Sequence, residues 1–265
     1  MLFQTIGFIG CGNMGSALAR AVQKEGRTIL LSNRTSAKAE ALAEEIGGTP
    51  SDNRSIAAQC DMIFLGVKPQ MMASMLQGIA PVLKERISPV VLVTMAAGLS
   101  TDSIQRMVEL PCPVIRIMPN TPASIGAGMI LYCQSGVTLD ELEEFQTLMA
   151  GAGRLDQLPE GLIDAGSAVS GCGPAFVYLF IEALADGGVA CGLPREKALT
   201  YAAQTVLGSA ELVLQSGKHP GALKDAVCSP AGTTIQGVRA LEQNGFRSAA
   251  MEAVIAAYEK TLSLV

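Results

Sequence analysis

The chain lacks tryptophan, has a single histidine and is only 4% aromatic, so its 265 residues must pack a core from Ala, Gly, Leu, Ile and Val. Charge is also scarce, at 16% of residues against 49% hydrophobic, and it sums to −5. No basic run is present to neutralise phosphates, which speaks against a nucleic-acid partner. An anionic ligand would have to be held by local groups, not by the overall field.

Paired cysteines are missing too. Cys11, Cys60, Cys112, Cys133, Cys172, Cys191 and Cys228 are scattered singly with no CxxC spacing, so neither a disulfide framework nor a metal site is expected. No apolar run approaches the roughly 20 residues of a bilayer span; the longest, VVLVTMAAGL (Val90 to Leu99), is half that and strand-like. With no basic leader or cleavage signal before the first strand, a cytoplasmic protein without a membrane partner is expected. Its apolar surplus is expected between subunits.

What is present begins with alternation. Strands are expected near Ile6–Ile9, Ile29–Ser32, Met62–Val67, Val90–Met95, Val114–Met118 and Met129–Cys133, and helices over Ser16–Lys24 and Ala37–Ile46. Buried-type strands separated by helices predict an α/β fold, a doubly wound parallel sheet. TLDE (Thr138 to Glu141) reads as a capping box opening a helix to about Ala150. Past Pro159 nearly everything reads as helix, which predicts a dinucleotide-binding domain over 1–159 and an all-helical domain over 160–265. Helices there are apolar almost all round, so a homodimer through this second domain is expected.

GCGNMG (Gly10 to Gly15) follows a strand and opens a helix, the context in which G-x-G-x-x-G binds a dinucleotide pyrophosphate on free helix amides. The second strand ends in LSNRTSAK with no acid for a ribose hydroxyl, while Arg34 is placed to pair with a 2′-phosphate. NADPH is therefore expected as cofactor, with NADH weaker. Other strand exits carry Val67, Lys68 and Pro69; the small residues Ala96, Ala97 and Gly98; and Asn120, locked between two prolines.

In the second half, SGCGPA offers Ser170, Gly171 and Pro174, and SPAGTT offers Ser229, Gly232, Thr233 and Thr234. Glycine-rich turns feeding helices, with hydroxyls but no cation, suit a small carboxylate; capped helix starts are the plain alternative. Neither turn holds a ready proton donor, which a carbonyl reductase needs and a protonated cyclic imine does not. His219, before a proline, reads as structural.

These blocks, together with VKPQ, MPNTPASIGAG, ADGGVACGLPR, HPGALKDAVCSPAGTTI and LEQNGFRSA, resemble the pyrroline-5-carboxylate reductases along essentially the whole chain. The resemblance implies a Rossmann domain and a helical domain interlocked as a dimer, with dimers able to assemble into a ring. It implies NADPH reduction of 1-pyrroline-5-carboxylate to proline. By similarity Ile9, Gly10, Cys11, Gly12, Asn13, Met14, Asn33, Asn53, Val67, Lys68 and Ala97 contact cofactor, and Glu160 is a substrate-side position. Ser229, Gly232, Thr233 and Thr234 match the loop that holds substrate, with Thr234 nearest the ring nitrogen. Some members carry an acid two residues before the histidine; this chain has Gly217. The alternatives are a related imine reductase, a β-hydroxyacid dehydrogenase, whose lysine after the glycine turn is replaced here by the run Ala175 to Tyr178, and a non-catalytic dinucleotide-binding protein.

Overall fold

A computed structural model describes residues 2–23 and 26–263. The chain divides into two compact units, Met1–Cys172 with Ala257–Val265, and Gly173–Ala256.

The first unit is built on an eight-stranded sheet: β1 (Thr5–Ile9), β2 (Thr28–Ser32), β3 (Thr49–Pro50), β4 (Met62–Leu65), β5 (Val91–Thr94), β6 (Val114–Met118), β7 (Gly128–Ser135) and β8 (Gly153–Gln157). Their order is β3-β2-β1-β4-β5-β6-β7-β8. The central strands are apolar without alternation because helices cover both faces. On one face Phe8 and Phe64 stack at 4.6 Å between ring centres and pack with Val93, Ile115 and Ile117. Helices α1 (Asn13–Val22), α2 (Ser36–Ile46) and α6 (Leu139–Met149) close that layer through Leu18, Leu42 and Phe145. On the other face Ile63, Leu65 and Leu92 meet α3 (Asn53–Gln59), α4 (Pro69–Lys84) and α5 (Thr101–Val108) through Ile56, Leu76 and Ile104.

Local signals act as read. Thr138 and Glu141 close a reciprocal capping box on α6, and Gly47, left-handed at φ 70°, stops α2. The sequence expectation for the first helix runs to Lys24, which lies outside the described residues; α1 ends at Val22.

β7, the further strand expected near Met129–Cys133, runs antiparallel to β6, with Arg116 opposite Cys133. Only a short 3-10 turn, Thr121–Ile125, separates the two strands, and a parallel crossover needs a dozen residues or more. β8 then returns parallel to β7.

α7 (Glu160–Ser170) belongs to the first unit, where Ile163 packs with Met118, Leu131 and Cys133. By compactness α7 groups with the sheet. The helical run from Glu160 to Ala190 is long and apolar enough to cross a membrane by length and composition, with 11% of its most apolar window buried within one chain. The sequence reading passed over it because Asp164, Ser167 and Ser170 interrupt the apolar letters.

The second unit contains α8 (Gly173–Ala190), α9 (Arg195–Ser216), α10 (Pro220–Ala226), α11 (Thr233–Gln243) and the larger part of α12 (Phe246–Leu262). α8 and α9 pack through Ala185, Ala198 and Ala202, joined by a turn at left-handed Gly192. These three alanines are the only buried hydrophobic side chains described there. Tyr178, Leu179, Leu207, Leu214 and Met251 all stand exposed, Leu214 at 70%. Apolar surface of this extent is of the kind that interaction faces present.

Candidate active site

The parallel strands β1, β2, β4 and β5 bring their carboxyl ends to one edge of the sheet. At that edge Gly10, left-handed at φ 106°, lets the chain turn from β1 toward α1. A Cβ at Gly10 or Gly66 would run into the other's backbone, and one at Gly15 into the Gly10 carbonyl. Gly12 differs. A Cβ there meets no protein atom within 4 Å, because Gly12 fronts the exposed start of α1, which has no side-chain cap. The first amides of α1, at Asn13 and Met14, are thus presented to an anion at the positive end of the helix dipole. Gly12 and Asn13 are exposed, whereas Cys11 is buried. Burial pushes the Cys11 thiol up to about 11, so it serves as packing and not as a nucleophile.

Ile9 ends β1, and the Cys11 N–H donates to Asn33 Oδ1 at 3.1 Å, while Asn33 Nδ2 donates to the Thr35 carbonyl at 3.0 Å. Ser32 Oγ donates to Asn53 Oδ1 at 2.6 Å. These bonds shape the exit of β2 without an acid. Arg34 is exposed and has no ion pair among the described residues, and the first turn of α2 carries Lys38 but no Asp or Glu. At the exit of β4, Val67 and Lys68 lead into Pro69, the first residue of α4. After β5 come buried Ala96, half-buried Ala97 and left-handed Gly98.

Asn120 is at the same edge, but its amide is engaged: Nδ2 donates to the Ser170 carbonyl at 2.9 Å and Oδ1 accepts from the Met129 N–H at 2.9 Å. Glu160 is likewise occupied. Oε1 accepts from the Thr101 N–H at 2.8 Å, Oε2 from Thr101 Oγ1 at 2.9 Å, and buried Arg116 stands behind it. Sequence reasoning missed Arg116, Asp164 and Thr101; the available signal was a lone arginine inside the apolar strand VIRIM.

In α7, Ser170 Oγ donates to the Gly166 carbonyl, and the Gly171 N–H closes the helix on Ser167; Pro174 lies in the first turn of α8. In the helical unit, Ala231 is left-handed at φ 57° and the Gly232 N–H donates to the Ser229 carbonyl at 3.0 Å. A Cβ on Gly232 would displace Ser229 Oγ, the movable end of its side chain, so the glycine leaves that hydroxyl its present place in the turn. It delivers α11 with no side-chain cap, leaving the Thr233 and Thr234 amides and the exposed Ser229 and Thr234 hydroxyls at its start. His219 Nδ1 accepts from the Gly221 N–H at 3.1 Å, capping α10. Among the described residues no cluster of three His, Cys, Asp or Glu side chains could hold a metal ion.

The start of the first unit matches a family model described as NADP oxidoreductase, coenzyme F420-dependent, over residues 5–98. Residues 160–264 match the pyrroline-5-carboxylate reductase dimerisation model. The pyrroline-5-carboxylate reductase of Escherichia coli (strain K12) is 40% identical over 98% of this chain and 97% of its own length. A Plasmodium falciparum pyrroline carboxylate reductase with NADP bound superimposes at TM-score 0.87 and 34% identity, covering 99% of this chain and 98% of that one. The corresponding enzyme of Streptococcus pyogenes gives TM-score 0.88 and 31% identity, with 98% of both chains covered. With the glycine cradle, the acid-free exit of β2 and the helical second unit all in place, the chain belongs to the pyrroline-5-carboxylate reductase family.

Proposed function

We propose that the chain reduces the C=N bond of 1-pyrroline-5-carboxylate to give proline, with NADPH as donor, and that the two sets of residues above divide the work. Bound NADPH supplies the hydride from its nicotinamide C4. Gly10 to Gly15 hold the pyrophosphate on open amides, and Gly12 fits that task because nothing in the protein fills the space before it. Arg34 pairs with the 2′-phosphate, Asn33 and Asn53 shape the ribose side, and Val67 to Pro69 and Ala96 to Gly98 line the approach to the ring. NADH, lacking the phosphate, binds less well.

The substrate carboxylate is held by the Thr233 and Thr234 amides and the hydroxyls of Ser229, Thr233 and Thr234, with Gly232 shaping the turn and Thr234 facing the ring nitrogen. Carbon C5 accepts the hydride while the nitrogen retains the proton it arrived with, so the site needs orientation and exclusion of water more than a general acid. Gly217 at the position of the acid in some relatives supports this economy. Glu160, occupied by Thr101, and Asn120, occupied by Ser170, belong to the support of the site. The helical unit forms a homodimer, of which a larger ring can be built, in the cytoplasm.

The observation that carries the reading is the presence, in one chain, of an acid-free dinucleotide cradle and an uncharged turn of amides and hydroxyls. The test is oxidation of NADPH and NADH at 340 nm with pyrroline-5-carboxylate, beside a 3-hydroxyacid in the reverse direction. Rapid NADPH loss with the imine supports the assignment; hydroxyacid oxidation without imine reduction sinks it, and silence in both arms leaves only a binding protein.

A further inference from the structure

Arg116 is the one charged residue of β6, and its side chain is 4% exposed. Its Nη2 donates to Asp164 Oδ1 at 2.5 Å, and Nη1 lies 3.7 Å from Glu160 Oε1. Glu160 and Asp164 are four apart on α7, so both carboxylates share the face that meets the guanidinium. Glu160 passes the connection on: its two oxygens accept the N–H and the hydroxyl of Thr101, the first residue of α5. Thr101 lies three residues after left-handed Gly98. A buried cation in the sheet is thereby linked, by an ion-pair approach to Glu160 and by the Glu160–Thr101 hydrogen bonds, to the start of α5, which the chain joins directly to the loop Ala96–Gly98.

A buried ion pair is a poor source of net stability, since desolvating the charges offsets their attraction. Arg116 Nε is buried with no partner, a further cost of the arrangement. Cys133 faces Arg116 across the β6/β7 ladder, and burial, then the nearby Glu160 charge, push its thiol up to about 12, so it stays neutral beside the network. An apolar residue would fill the place of Arg116 at less cost if packing were the only demand. We propose that Arg116 is a positioning residue for hydride transfer: it orients Glu160, which pins Thr101 and so fixes the Ala96–Gly98 loop against the nicotinamide end of the cofactor. The inference rests on the reading of the previous subsection.

Its test compares wild type with Arg116→Met, Arg116→Lys and Thr101→Val by single-turnover NADPH oxidation at saturating pyrroline-5-carboxylate, with the Kd for NADPH measured separately by fluorescence. The pyrophosphate is held elsewhere, at Gly10 to Gly15, so Kd should change less than about threefold while Arg116→Met slows hydride transfer about tenfold or more. Arg116→Lys should restore much of the rate by returning the cation, and Thr101→Val should slow it about threefold by removing the hydroxyl bond alone. A folded Arg116→Met or Thr101→Val variant that keeps the wild-type single-turnover rate overturns the proposal, as do losses of rate that merely parallel losses of Tm. If Arg116→Met does not fold, Thr101→Val decides. A wild-type enzyme inactive on the imine would overturn the reading and the inference together, whereas an active one with unmoved variants overturns only the inference.

Discussion

Gly10 and Gly66 meet backbone to backbone across the ends of β1 and β4, so closely that a Cβ on either would occupy the other's backbone. Gly10→Ala adds left-handed strain to that collision and should cost about 3 kcal/mol of stability. Gly12→Ala meets no protein atom and should cost under about 1 kcal/mol. Its methyl instead enters the space before the open amides, and the Kd for NADPH should rise at least about tenfold. Thermal unfolding and NADPH titration of the pair separate the two glycines; a Gly12→Ala variant that binds normally would remove the pyrophosphate from this turn.

Arg34 stands exposed and unpaired among the described residues, so its removal should disturb little but the cofactor's extra phosphate. Arg34→Ala should raise the KM for NADPH about tenfold and leave that for NADH within about twofold. Equal effects on both would show that another group reads the phosphate.

Thr234 is the second residue of α11 and carries an exposed hydroxyl beside the turn at Ser229 to Gly232. Thr234→Ala should lower kcat about tenfold by loosening the ring nitrogen, with the KM for NADPH unchanged. Thr234→Ser, which keeps the hydroxyl, should recover most of the loss. Unchanged kinetics in the alanine variant would strip Thr234 of its role.

Leu179 and Leu214, on α8 and α9, are 68% and 70% exposed in one chain. Residues 160–264 match a dimerisation model, so both side chains are expected against a second copy. Leu179→Asp with Leu214→Asp should convert the dimer to monomer at micromolar concentration, read by sedimentation, because each puts a charge into apolar surface. A dimer of unaltered affinity would move the contact to another face.

Glu144 and Arg27 pair at 2.8 Å with side chains 17% and 5% exposed. Burial opposes ionisation of Glu144, but the Leu2 N–H and the Arg27 guanidinium outweigh it and hold the carboxyl below its ordinary value. A lowered folded pKa stabilises the fold above the unfolded value near about 4.3, and that contribution is lost as pH falls through the folded value. Glu144→Gln should therefore unfold about 1 kcal/mol more readily at pH 7, with the gap closing below about pH 4. A difference that persists at low pH would place the effect in packing.

How much of this was legible depended on how local its cause was. The glycines of GCGNMG, the Thr138–Glu141 capping box and the Gly47 stop act within a few residues, so spacing alone reveals them. The absence of an acid after β2 is equally readable, because the ribose site lies at a fixed place in the motif. The antiparallel turn of β7 was not, since its strand pattern is the same in either direction and only the short link after β6 decides. Nor was the assembly of Thr101, Arg116, Glu160 and Asp164, whose members are brought together from β6, α5 and α7 by sheet order. The sequence by itself determined the cofactor cradle and the alternation of strands and helices, because backbone freedom and burial periodicity are properties of neighbouring residues. Only the tertiary structure decided which buried charges meet and which apolar faces remain uncovered in one chain, because both depend on packing between segments far apart in the chain.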